Sequence, residues 1–252
     1  MIDLAYFIIT ILFLQIGSKT IQELNPDFLN VITSNSSFDQ IIFTLIIIYL
    51  FYLRLNKLNL INGLFNITIF YSIYILFLNF FPNIQAILLS FLIMLYYKKN
   101  NSIIYHNLII TLAALGVGLF FGSLFRPLDV LIFAALFCIY DVYAVYKTKY
   151  MIKMFNQFSK NNAFFATAFP KKLLSNKFFI VGSGDLIFPT IITVSFSKYM
   201  PEYVITSIIG SITGYLFLYY LIKIQNSKNP VPALPPIIFC IILSFLIKII
   251  FI

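Results

Sequence analysis

The chain has 252 residues, 61% hydrophobic and 19% aromatic, with 10% charged and a net charge of +9. Soluble domains average about 25% charged residues, so this chain lacks the polar groups to cover a water-soluble fold of its size. Its apolar runs are long and do not alternate, which points to an all-α, polytopic membrane protein and away from a β-barrel.

Nine spans are predicted in chain order: Leu4–Ile16, Gln40–Leu53, Leu58–Leu78, Asn83–Tyr97, Ile103–Phe125, Leu128–Tyr146, Phe178–Phe196, Tyr203–Ile224 and Pro232–Ile252. The first run follows an acid, Asp3, and no basic segment, so it reads as a span and not as a cleaved signal peptide. The first, second and fourth are shorter than the roughly 20 residues a full crossing needs. Between the third and fourth, "NFFP" marks a turn. The domain plan is a single membrane domain over 1–252, with six spans in 1–146, a basic cytoplasmic loop over 147–177, and three spans in 178–252.

Charge tests this count. With nine spans, thirteen of the seventeen basic residues fall on one side of the membrane with a single acid, Asp3. The other side carries four basic residues and five acids. That asymmetry makes the first side cytoplasmic, with the N-terminus inside and the C-terminus outside. It also explains the basic balance through anionic lipid, with no nucleic-acid partner. Within the loop, "NNAFFATAFP" is apolar enough to lie on the membrane or over an opening. Cys138 and Cys240 lie within apolar runs and read as small packing residues. The lone His106 has no acidic or cysteine companion and reads as an interfacial residue. Gly118 and Gly122, and Gly210 and Gly214, have the spacing of close helix packing.

Only two acids, Asp141 and Asp185, lie well inside spans, and no Lys or Arg within a neighbouring span can pair with them. Ionisable groups at such positions are functional candidates. Read as helix, each lies roughly 9–12 Å below the cytoplasmic end of its span, so the antiparallel sixth and seventh spans can bring the acids to one level. Two carboxylates in contact share a proton. The ionised one can take a proton from water while the other donates to a peptide carbonyl, with no metal, cofactor or nucleophilic side chain required. Gly182 and Gly184, flanking Ser183, allow a second backbone to approach Asp185. Pro189, four residues beyond, frees a carbonyl near the acid. Four prolines, Pro230, Pro232, Pro235 and Pro236, keep the entry to the last span irregular, which is tolerated where backbone lines a cavity.

Tyr140-Asp141, Gly182-Ser183-Gly184-Asp185 and Pro232-Ala233-Leu234-Pro235, in that order, resemble the presenilin and signal peptide peptidase family of intramembrane aspartyl proteases. The run "YDVYAVYKTKYM" looks most like archaeal presenilin-like members. The resemblance implies an intramembrane endopeptidase with Asp141 and Asp185 as the catalytic pair. Tyr140 would shape the surroundings of the first acid, and Gly182 and Gly184 would support the site. Ser183 and the segment Pro232, Ala233, Leu234, Pro235 would bind an unwound substrate. Implied partners are lipid and transmembrane-helix substrates, and a second copy of the chain is compatible with a site complete in one. Two other readings compete. A prepilin- or preflagellin-type peptidase shares the GxGD pattern but is not marked by the Pro232–Pro235 motif. A non-enzymatic proton or cation transporter accounts for two unpaired acids but not for the two motifs together.

Overall fold

The computed structural model describes residues 2–24, 57–99, 102–148, 165–170, 178–224 and 231–251. Eight α-helices occur among them: α1 (Ile2–Leu24), α2 (Lys57–Phe77), α3 (Asn83–Lys99), α4 (Ile103–Leu124), α5 (Pro127–Tyr143), α6 (Ser183–Tyr199), α7 (Val204–Ile224) and α8 (Leu234–Phe251). A two-stranded antiparallel hairpin, β1 (Ala166–Pro170) and β2 (Phe178–Gly182), stands before α6. Among the described residues, four helical stretches are long and apolar enough to cross a membrane: Ala5–Leu24, Ile103–Leu124, Pro127–Lys147 and Pro201–Ile224. Large apolar side chains such as Ile84, Leu128, Ile139 and Ile250 stand exposed on the outside of the bundle, as expected where the surrounding solvent is hydrocarbon.

Most helix boundaries follow the chemistry of their ends. Ser102 caps α4, its side chain accepting the Tyr105 N–H at 3.3 Å. Pro127 and Pro201 open helical segments where their missing N–H would be unpaired anyway. Asn79 closes α2, donating to the carbonyls of Ile75 and Leu76.

Three expectations need correction or limits. The first helix runs to Leu24, well past Ile16, because Gly17 and Ser18 do not break it; Lys19 and Glu23 pair one turn apart at 3.6 Å. The predicted span Gln40–Leu53 lies outside the described residues. The seventh span is not helical from Phe178: Phe178–Gly182 is a strand and the helix begins at Ser183. A short apolar run has no periodicity that separates strand from helix, and the aromatic and β-branched residues of "FFIVG" favour the strand. Its partner β1 comes from the apolar loop segment, so Ala166–Pro170 serves as a strand in place of a patch on the membrane.

Helix α4 stands at the centre, with twelve buried residues along its length. Its glycines set how closely α6 approaches. A Cβ on Gly122 would lie 2.6 Å from the Val194 Cβ and 2.7 Å from the Ile191 carbonyl oxygen, and one on Gly118 would collide with Thr190. At the other end of the bundle Gly214 of α7 lies against Ile237 of α8, where a Cβ would meet the Ile237 Cα at 2.6 Å. Both glycine pairs therefore do what their spacing predicts, bringing backbones closer than any side chain would permit. The C-terminal end of α6 is tied to the end of α4 by Ser195, which donates to the Phe125 carbonyl at 2.7 Å, and by Lys198, which donates to that of Ser123 at 3.0 Å.

Candidate active site

Asp141 lies in the last turn of α5 and is 5% exposed. Directly after it the helix widens into one π-helical turn, Ala144–Thr148, and the Ala144 N–H is shared between the carbonyls of Asp141 and Tyr140. Such turns are rare overall and are frequent at functional sites. Tyr140 faces another way: it is half exposed, in a row with Leu136 and Tyr143 on the outer side of the helix.

The partner of the Asp141 carboxylate is the start of α8. A helix leaves its first four N–H groups without internal acceptors. In α8 these positions are Ala233, Leu234, Pro235 and Pro236, and the two prolines have no N–H. The two real donors both face Asp141: Leu234 N–H donates to its Oδ2 at 3.3 Å, and the Ala233 backbone N–H lies on the same side of the carboxylate. Pro235 and Pro236 thus remove surplus donors and leave the remaining pair facing one acid. The positive end of the α8 dipole faces the same carboxylate.

Asp185 obeys the same logic within its own helix. It is the third residue of α6, after the N-cap Gly182, and its carboxylate turns back toward Gly182, in the direction of half a capping box. The Ser183 N–H donates to the Phe165 carbonyl at 3.0 Å, continuing the hairpin into the helix. A Cβ on Gly182 would stand 3.0 Å from Asp185 Oδ2, so a side chain here would press on the carboxylate of its own helix. Gly184 differs: nothing lies within 4 Å of where its Cβ would be. Ser183 is partly exposed beside it.

The two acids lie within electrostatic range of one another, and Cys138, one turn before Asp141, lies within range of both. Helices α5 and α6 are also in contact above the pair, where Phe137 and Phe188 meet with centroids 4.8 Å apart. Asp185 is not two turns inside its helix, as the helical reading of span seven required, although it still meets Asp141. One ends a helix and the other begins one, and the strand β2 makes up the difference.

Several residues that hold the site have no motif. Asn107 of α4, 1% exposed, forms a two-bond pair with β1: its Nδ2 donates to the Ala168 carbonyl at 2.7 Å and its Oδ1 accepts the Ala168 N–H at 2.8 Å. His106 is no isolated interfacial residue; its Nε2 meets the Ala166 carbonyl at 3.0 Å and its Nδ1 the Tyr97 hydroxyl at 2.8 Å. One edge of β1 is therefore held by α4 and the other by β2. An Asn-x3-Thr pattern inside an apolar helix is the available signal for Asn107, and Thr111 does bond back to the Asn107 carbonyl at 2.6 Å.

A mostly helical bundle with exposed apolar faces and two acids at facing helix ends defines a membrane-embedded carboxylate centre. The chain belongs to the family described as signal-peptide peptidase, presenilin aspartyl protease, which it matches over residues 8–252. It is accordingly an enzyme, a hydrolase of the intramembrane aspartic protease class. Two solved structures are similar in fold, both of a presenilin family intramembrane aspartate protease. The one in space group C222 has a TM-score of 0.62 at 22% identity, and the one in P2 has 0.64 at 20%. Each alignment covers 97% of this chain and 96% of the other. No curated protein matches the sequence.

Proposed function

We propose that this chain cleaves peptide bonds within transmembrane segments, with Asp141 and Asp185 as the catalytic pair. The observation that carries the reading is that both carboxylates face backbone at helix N-termini and lie within range of one another, beside the open space at Gly184. One acid ionised and one protonated is the working state. The ionised carboxylate accepts a proton from water as the oxygen attacks the peptide carbon. The protonated one donates to the carbonyl oxygen, giving a neutral gem-diol. The first carboxyl then passes its proton to the leaving nitrogen while the second, now ionised, takes a hydroxyl proton from the gem-diol, so the C–N bond breaks to an amine and a carboxylic acid and the pair returns to one ionised and one protonated.

A peptide bond inside a helix is shielded by its own turns, so substrate must be extended before attack. The outer edge of β2 suits that task. Both edges of β1 are occupied, so a substrate strand would add beside β2 and be led toward Asp185. Ser183, Gly184 and the Pro232–Pro235 segment would line its path. The chain crosses the membrane nine times in this reading, with the N-terminus cytoplasmic, the C-terminus outside and 147–177 as a cytoplasmic loop. It then accepts substrates whose N-terminus is outside. A C-terminal reporter found in the cytoplasm would refute that orientation.

The direct test uses detergent-purified protein and a transmembrane peptide. Asp141→Asn and Asp185→Asn should each abolish cleavage, and persistence of cleavage in either removes that residue from the mechanism.

A further inference from the structure

Pro189 lies in α6 four residues after Asp185 and is buried. A residue with an N–H at position 189 would donate to the Asp185 carbonyl; proline cannot. That carbonyl is not left bare. The hydroxyl of Tyr215, from α7, donates to it at 2.7 Å. Tyr215 is 1% exposed and among the largest fully buried side chains. Its ring meets Phe7 edge-on at 5.7 Å, and Phe7 meets Phe169 of β1 at 5.1 Å. The residue before it, Gly214, is the one pressed against Ile237 of α8, a turn beyond Leu234. Tyr215 thus joins the main chain of one acid to the helix pair that presents backbone donors to the other.

We infer that Tyr215 is a positioning residue: it takes the hydrogen bond Pro189 cannot make and so sets the first turn of α6, and with it the Asp185 carboxylate, relative to Asp141. The inference rests on the catalytic reading of Asp185 given above. Tyr215 is fully buried, so its loss acts on turnover and not on substrate binding. Replacing Pro189 by Ala supplies the missing N–H from within the helix, which makes the role separable from mere packing.

The test compares Tyr215→Phe, Pro189→Ala/Tyr215→Phe, Thr193→Val and Asp185→Asn with the unaltered full chain, by kcat and KM on a transmembrane peptide. Thr193→Val removes another buried hydroxyl from α6, remote from the acids. Tyr215→Phe should lower kcat about tenfold with KM unchanged, because small displacements of reacting groups cost on the order of 10- to 100-fold. The double variant should regain most of that loss, and Thr193→Val should lower the thermal midpoint while keeping kcat. Wild-type kcat in Tyr215→Phe, a double variant no faster than Tyr215→Phe, or an equal kcat loss in Thr193→Val overturns the positioning role. An inactive Asp185→Asn alongside any of these leaves the catalytic reading standing, whereas an active Asp185→Asn overturns both.

Discussion

Replacing Gly182 by Ala tests whether the capping geometry of Asp185 matters to catalysis. The backbone there, φ −62° and ψ 147°, is open to any residue, so no strain arises from the main chain. The new methyl would lie 3.0 Å from Asp185 Oδ2, against 3.4 Å or more for ordinary contact, so the carboxylate must retreat by about 0.4 Å. Its approach to the Gly182 N–H weakens with it, and a lost cap costs about 1 kcal/mol. In a chain this size that lowers the thermal midpoint by only about 2–4 °C. Catalysis should suffer more, with kcat down about tenfold, since a misplacement of 1 Å can cost about 100-fold. Gly184→Ala is the internal contrast. Its methyl meets nothing in the free enzyme, so the midpoint holds and the penalty appears as a raised KM when substrate fills that space. Both are read by steady-state cleavage of a transmembrane peptide with a thermal melt alongside. A Gly182→Ala enzyme with unchanged kcat, or a Gly184→Ala enzyme losing more kcat than Gly182→Ala, would refute the reasoning.

Gly214→Ala places a methyl 2.6 Å from the Ile237 Cα. Overpacking of this kind costs about 1–3 kcal/mol, and by forcing α8 outward it should draw Leu234 from Asp141; the melt should fall and cleavage with it, so a lower melt with full activity would separate α8 from the site. Asn107→Ala removes two bonds to β1 and leaves the Ala168 N–H and carbonyl without them. Each buried bond is worth about 1 kcal/mol, and amide exchange over Ala166–Pro170 should quicken; unchanged exchange there would show that pairing with β2 alone holds the strand.

Much of the layout was legible because the solvent is hydrocarbon. A span must satisfy its own backbone, so long apolar runs such as Ile103–Leu124 could be read as helices and bounded by their prolines and caps. The two acids stood out for the same reason: nothing within neighbouring spans offered either one a cation. Pro189 was readable too, since the absence of an N–H is a property of the residue. The strand β2 was not, because five apolar residues carry no period that excludes helix. Asn107, His106 and Tyr215 were not, because each is defined by a partner 61, 60 or 30 residues away.

The primary structure alone places two carboxylates in apolar spans, supplies glycine where backbones must approach, and removes N–H groups at Pro189, Pro235 and Pro236. These are local facts, set by the chemistry of single residues. Which groups answer them is a matter of long-range packing. Only the folded bundle brings the Ala233 and Leu234 amides to Asp141, returns the Asp185 carboxylate to Gly182 beside a hairpin, and sets the Tyr215 hydroxyl on the carbonyl that Pro189 leaves open. A vacancy in hydrogen bonding is written along the chain, but the partner that fills it is chosen in three dimensions.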